Sequence, residues 1–139
     1  MLIFGYGSLV NVEHLQAYLG RSLVPEKDFM FCGLRNFRRC WTAAMDNRLN
    51  TPGYKYYVEK NRGDRTPQQQ QEQDNRPDGF VTFLNIRPCP GTTITGIVFE
   101  VSNQELKRLD QREQNYHKLD VTNMMDTAIS DQVYAYMGL

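Results

Sequence analysis

The sharpest constraint on the fold lies between residues 93 and 113, where a strand pattern gives way to a helix at a marked boundary. Thr93–Val101 is rich in β-branched and aromatic residues, the composition of a half-buried strand. Ser102-Asn103-Gln104-Glu105 follows with the form of a capping box, a serine at the cap and a glutamate three positions on. The helix it opens is predicted to run to about Glu113. A strand delivered straight into a capped helix calls for an architecture that pairs the strand and packs the helix.

The rest of the chain adds mostly strands. Leu2–Tyr6 is a short apolar run stopped by glycine and reads as a buried strand. Asn11 is placed to cap a helix whose Val12, Leu15, Gln16 and Leu19 share one face and whose end is Gly20. Lys27–Trp41 alternates loosely, as one long strand or two short ones, with Gly33 as a possible bend or bulge. Phe80–Ile86 reads as a strand, Pro88-Cys89-Pro90-Gly91 as a turn, and Lys118–Asn123 and Gln132–Met137 as closing strands. Strands outnumber helices and the two do not alternate regularly, so the fold class is α+β. The 139 residues suit one domain, spanning 1–139. From about 61 to 77 the chain has almost no apolar content and includes four consecutive glutamines, the composition of a surface loop.

Composition excludes several function classes. Sixteen basic and 16 acidic residues leave a formal charge of zero, so the chain as a whole attracts neither nucleic acid nor an anionic membrane. No apolar run approaches the roughly 20 residues of a membrane span, and the first residues lack the features of a signal peptide. Cys32, Cys40 and Cys89 are odd in number and lack paired metal-ligand spacing, which points to a reducing cytoplasm. His14 and His117 lie apart with no third ligand at suitable spacing, so no metal is expected, and His14 reads as a surface residue. Arg35, Arg38 and Arg39 form no single basic face, because Arg35 and Arg38 point to opposite sides of a strand.

Two short constellations carry the candidate chemistry. Gly5-Tyr6-Gly7-Ser8-Leu9 follows a strand and leads toward a helix, an arrangement that turns backbone amides toward one point and attracts carboxylates. A dinucleotide fingerprint does not fit, because Val10 stands where the third glycine belongs. The same spacing also suits an ordinary glycine turn. In the second constellation, Leu106, Leu109 and Glu113 fall on one stripe of the capped helix, whereas Glu105, Asp110 and Arg112 fall elsewhere and read as solvated. A carboxyl on an inward face is costly unless it is paired, neutral or beside a polar cavity. Burial disfavours its charged form, which suits a group that takes and returns protons near neutrality. A helix frayed at its last turn would instead leave Glu113 wet.

Taken together, Phe4–Leu9 and Leu109-Asp110-Gln111-Arg112-Glu113-Gln114-Asn115-Tyr116 resemble the gamma-glutamylcyclotransferase superfamily, which includes the ChaC-like enzymes. Cys32–Arg39 and Gly96–Val101 are similar to two further strands of that family, so the resemblance spans nearly the whole chain. It implies a small mixed, partly closed β-barrel flanked by helices. It also implies cleavage of gamma-glutamyl amides by internal attack, releasing 5-oxoproline and a free amine without a metal or organic cofactor. Glu113 would be the general acid/base, and Gly5, Tyr6, Gly7, Ser8 and Leu9 would hold the substrate. Tyr136 looks like the family's late-strand tyrosine and is either a substrate contact or a core residue. The ChaC-like branch carries two glycines soon after its glutamate, where this chain has Gln114-Asn115-Tyr116, so glutathione is not carried over as substrate. The competing readings are a binding protein for small carboxylates and an interaction module on the same scaffold. The expected partner is a small-molecule gamma-glutamyl substrate, with no nucleic acid and no membrane; the oligomeric state is left open.

Overall fold

The computed structural model describes residues 1–49, 57 and 78–139, and the polar segment expected at 61–77 lies outside them. Five strands form one mixed sheet in the order β2-β3-β1-β5-β4. They are β1 (Leu2–Gly5), β2 (Phe29–Asp46), β3 (Phe80–Glu100), β4 (Tyr116–Asp120) and β5 (Val133–Gly138). Two helices accompany them, α1 (Val12–Leu19) and α2 (Asn103–Arg112). The expected α+β class is therefore observed. Among the described residues no helix is long and apolar enough to cross a membrane.

Both helices begin and end where their sequence dictates. The Asn11 side chain accepts the His14 N–H, and Gly20 closes α1 in the left-handed conformation with φ 74°. The capping box at Ser102 is complete: its hydroxyl accepts the Glu105 N–H, while the Glu105 carboxylate accepts the Ser102 N–H.

The turn expected at Pro88–Gly91 does not divide two strands. β2 and β3 pair antiparallel along nearly their full lengths, and the register passes from Arg35 opposite Thr93 to Phe37 opposite Pro88. Asn36 alone therefore faces the four residues 89–92, which loop out as a bulge. Asn36 takes a positive φ of 65° and its side-chain oxygen accepts the Gly91 N–H, so the turn chemistry is absorbed within the ladder. Gly33 is not a bulge either. It is a point of close approach, where its N–H donates to Asp126 at 2.7 Å and any Cβ would collide with that carboxylate.

β1 sits at the centre of the sheet, antiparallel to β3 and parallel to β5. Alternate residues point to opposite faces. Ile3, Phe99 and Tyr136 join Leu15, Leu19 and Leu109 beneath the helices. Phe4, Val98 and Ala135 join Leu34, Val121 and Met125 on the other side. No ladder joins β4 to β2 among the described residues. Side chains draw the far half of the β2–β3 hairpin toward that open edge. The buried Asn85 accepts the Gly138 N–H at 2.7 Å, and Asn115 donates to the Ala44 carbonyl at 3.0 Å. The expected partly closed barrel is thus corrected to an open sheet, whose outer edges are bridged by side-chain hydrogen bonds and not, among the described residues, by a strand ladder.

Candidate active site

A cavity of about 470 Å³ opens where β1 ends. Gly5, Tyr6, Gly7, Ser8, Leu9, Glu113 and Tyr136, all singled out from sequence, line it. Arg39, Trp41, Phe83 and Leu84 from the β2–β3 hairpin also line it, together with Tyr116. The sequence reading assigns none of these hairpin residues to the site and weighs Arg39 only as part of a basic strip. The i, i+2 spacing of Arg39 and Trp41 was the available signal that both share one strand face.

The glycine loop folds back because Gly5 has no side chain. A Cβ there would lie 2.8 Å from Leu9 Cβ, closer than two carbons approach, so glycine admits the return of the chain into the short 3-10 turn Ser8–Val10. The Val10 N–H closes that turn on the Gly7 carbonyl at 3.0 Å. Opening amides of such a turn have no partner within it and face outward from its start. Arg39 braces the loop from the hairpin, donating Nε to the Tyr6 carbonyl at 3.0 Å and an η-nitrogen to the Thr95 carbonyl.

Glu113 stands at the end of α2, with φ −103° and ψ 38° outside the helical region. Its N–H still donates to Leu109 at 2.9 Å, and its carbonyl accepts the Tyr116 N–H at 2.9 Å, so the backbone is held on both sides. The residue is 4% exposed, which removes the wet alternative. The cost of burying this carboxyl is met by a partner: Arg112 Nη1 donates to Oε1 at 2.8 Å. Arg112 Nη2 donates to Ser8 Oγ at 2.8 Å, and the guanidinium lies 5.4 Å from the centre of the Tyr18 ring. The expectation that Arg112 is solvated is thus corrected. Its reach runs across the cavity rim to the loop, a contact spanning 104 residues that helix periodicity does not register.

Glu105 requires the same correction. It is buried, with Arg21 Nε 3.0 Å from its carboxylate. Asp110 is exposed as expected, yet accepts from the Tyr136 hydroxyl at 2.5 Å and pairs with Lys118 at 3.1 Å. His14 is exposed, as read from its helix position.

Three tyrosines wall the carboxyl. Tyr6 donates to the Tyr136 carbonyl at 2.6 Å, and Tyr116 donates to the Leu84 carbonyl at 3.0 Å. Burial, reinforced by nearby negative charge including that of Glu113, pushes the Tyr6, Tyr116 and Tyr136 hydroxyls well above the usual tyrosine range. All three therefore remain neutral donors near pH 7. No group of three or more metal-binding side chains comes together among the described residues.

Known proteins with this fold support its placement. A solved gamma-glutamyl cyclotransferase superposes with a TM-score of 0.59 at 15% identity, over 100% of this chain and 66% of that one. The solution structure of a protein from Arabidopsis thaliana gives 0.56 at 20% identity, over 99% of this chain and 68% of that one. A second Arabidopsis thaliana protein, also solved in solution, gives 0.51 at 19% identity, over 99% and 61%. The chain thus spans about two thirds of the length of these structures. No curated protein sequence matches it. The family model described as gamma-glutamyl cyclotransferase, AIG2-like, matches residues 3–138, and the chain belongs to that family.

Proposed function

We propose that this chain cleaves gamma-glutamyl amides by cyclisation, releasing 5-oxoproline and a free amine. The observation that carries the reading is the buried Glu113 carboxyl opening onto the same 470 Å³ cavity as the Gly5–Leu9 loop. In the reaction, the substrate α-amine attacks its own γ-carbonyl carbon and forms a new C–N bond in a five-membered ring. Glu113 takes the proton that the amine sheds and returns it to the departing nitrogen as the old amide bond breaks. One carboxyl serves both steps, because the proton lost in the first is required in the second. Ring closure is intramolecular, so holding the substrate folded lowers much of the barrier. Amides of the Gly5–Leu9 loop would grip the α-carboxylate, with Tyr6 and Tyr136 as neutral walls about the reacting amine.

Glu113→Gln keeps the shape of the side chain and removes its capacity to take a proton. Release of 5-oxoproline from a panel of gamma-glutamyl amides is expected to fall at least about 10³-fold, within the reach of a lost general acid/base, while 5-oxoproline binding by calorimetry persists. Undiminished product release by this variant would defeat the assignment.

A further inference from the structure

We propose that Arg112 is a positioning residue that ties the proton-transferring carboxyl to the substrate loop and sets the distance between them; this rests on the reading of Glu113 and the glycine loop given above. Adjacent residues on a helix point about 100° apart and do not normally face each other. Arg112 and Glu113 nevertheless meet at the helix end, where Arg112 is the last helical residue and Glu113 departs from helical geometry at φ −103° and ψ 38°. One prong of the fork then holds Glu113 Oε1 and another holds Ser8 Oγ, both at 2.8 Å. The planar guanidinium fixes the angle between its prongs, so the two partners are set relative to one another as well as bound.

The fork is itself anchored. Its central carbon lies 5.4 Å from the ring centre of Tyr18 in α1, whose hydroxyl donates to the Arg108 carbonyl one turn back along α2 at 2.8 Å. Arg112 therefore joins three elements that carry the site: α1, the end of α2 and the 3-10 turn after β1. The hydroxyls of Tyr6, Tyr18, Tyr116 and Tyr136 feel the charge of Glu113 and stay neutral near pH 7, while Arg112 pairs with its carboxyl at 2.8 Å. An ammonium in its place is a point charge that cannot span both partners. The contribution is accordingly geometric and belongs in kcat, since a misplacement of about 1 Å in an aligned site costs on the order of 10²-fold.

The test is a double-mutant cycle on the intact chain with the best gamma-glutamyl amide found. Arg112→Met is expected to lower kcat about 30- to 100-fold with KM changed less than about threefold. Arg112→Lys should recover only part of that loss. Ser8→Ala should cost a few-fold, and the Ser8→Ala/Arg112→Met pair should be no worse than Arg112→Met alone, because both break the same tie. Additive losses, full recovery by lysine, or a kcat within about twofold of the parent in Arg112→Met would overturn the proposal. A second readout needs no turnover: the Glu113 carboxyl carbon resonance, assigned by its loss in Glu113→Gln, should move in both Arg112→Met and Ser8→Ala. An unmoved resonance in Ser8→Ala also overturns it. A parent chain that releases no 5-oxoproline from any gamma-glutamyl amide sinks the proposed reaction instead, and the resonance then decides the tie.

Discussion

At the scale of single residues, Glu105 illustrates how a side chain that looks solvated acquires a partner from far along the chain. Burial pushes its carboxyl up, but hydrogen bonds from Arg21 and Ser102 outweigh that and hold it below the ordinary carboxylate range. A depressed folded-state value means the contribution is complete above the unfolded value, near pH 4.3, and is lost as the pH falls through the folded one. Glu105→Gln is therefore expected to destabilise by about 1–2 kcal/mol at pH 7, through a weakened cap and a lost ion pair. Melting curves for parent and variant should draw together as the pH falls below about 4. A gap that stays constant from pH 7 to pH 3 would show that the ion pair contributes nothing. The Ser102 half of this cluster was legible because a capping box is local. Arg21 lies 84 residues away and leaves no trace in helix periodicity. Glu113 was legible for the opposite reason: the stripe set by Leu106 and Leu109 carries it inward with no distant partner required.

At the scale of elements, the central strand depends on how closely β3 approaches it. A Cβ at Gly96 would collide with the Gly5 carbonyl oxygen and with the Phe4 ring, 2.6 Å from its nearest ring carbon. Gly96→Ala is expected to cost about 3 kcal/mol, since neither backbone nor a buried ring yields cheaply. Chemical denaturation measures that cost, and a loss under about 1 kcal/mol would mean the two strands separate more readily than their packing implies. The sequence announced Gly96 as part of a strand without announcing this contact, because which strand lies beside it is a matter of topology. The residues at 88–91 show the same division. Their turn chemistry was readable, but the continued pairing of the chain on either side of them was not. Only the register against Arg35 and Phe37 reveals that the turn is a bulge within one ladder.

At the scale of the whole molecule, Asn85 joins the hairpin to the end of β5. Its side-chain oxygen accepts from both Ile86 N–H and Gly138 N–H at 2.7 Å, and its nitrogen donates to Thr42 at 3.1 Å. Asn85→Ala strands two buried donors and should destabilise the fold by about 2–3 kcal/mol. Because Tyr136 lies two residues before Gly138, the proposed reaction also requires that 5-oxoproline release fall in this variant. A variant with parental melting behaviour would show that the fold does not depend on this link. Family resemblance implied a partly closed barrel where the sheet is open, and this polar seam was not written in any local pattern. The parallel pairing of β1 with β5 has a consequence for how the protein is made. The Tyr6 hydroxyl finds its acceptor 130 residues downstream. During synthesis the glycine loop therefore leaves the ribosome well before its partner strand β5 does. The pocket must wait for contacts of very long range, the kind that slow folding most.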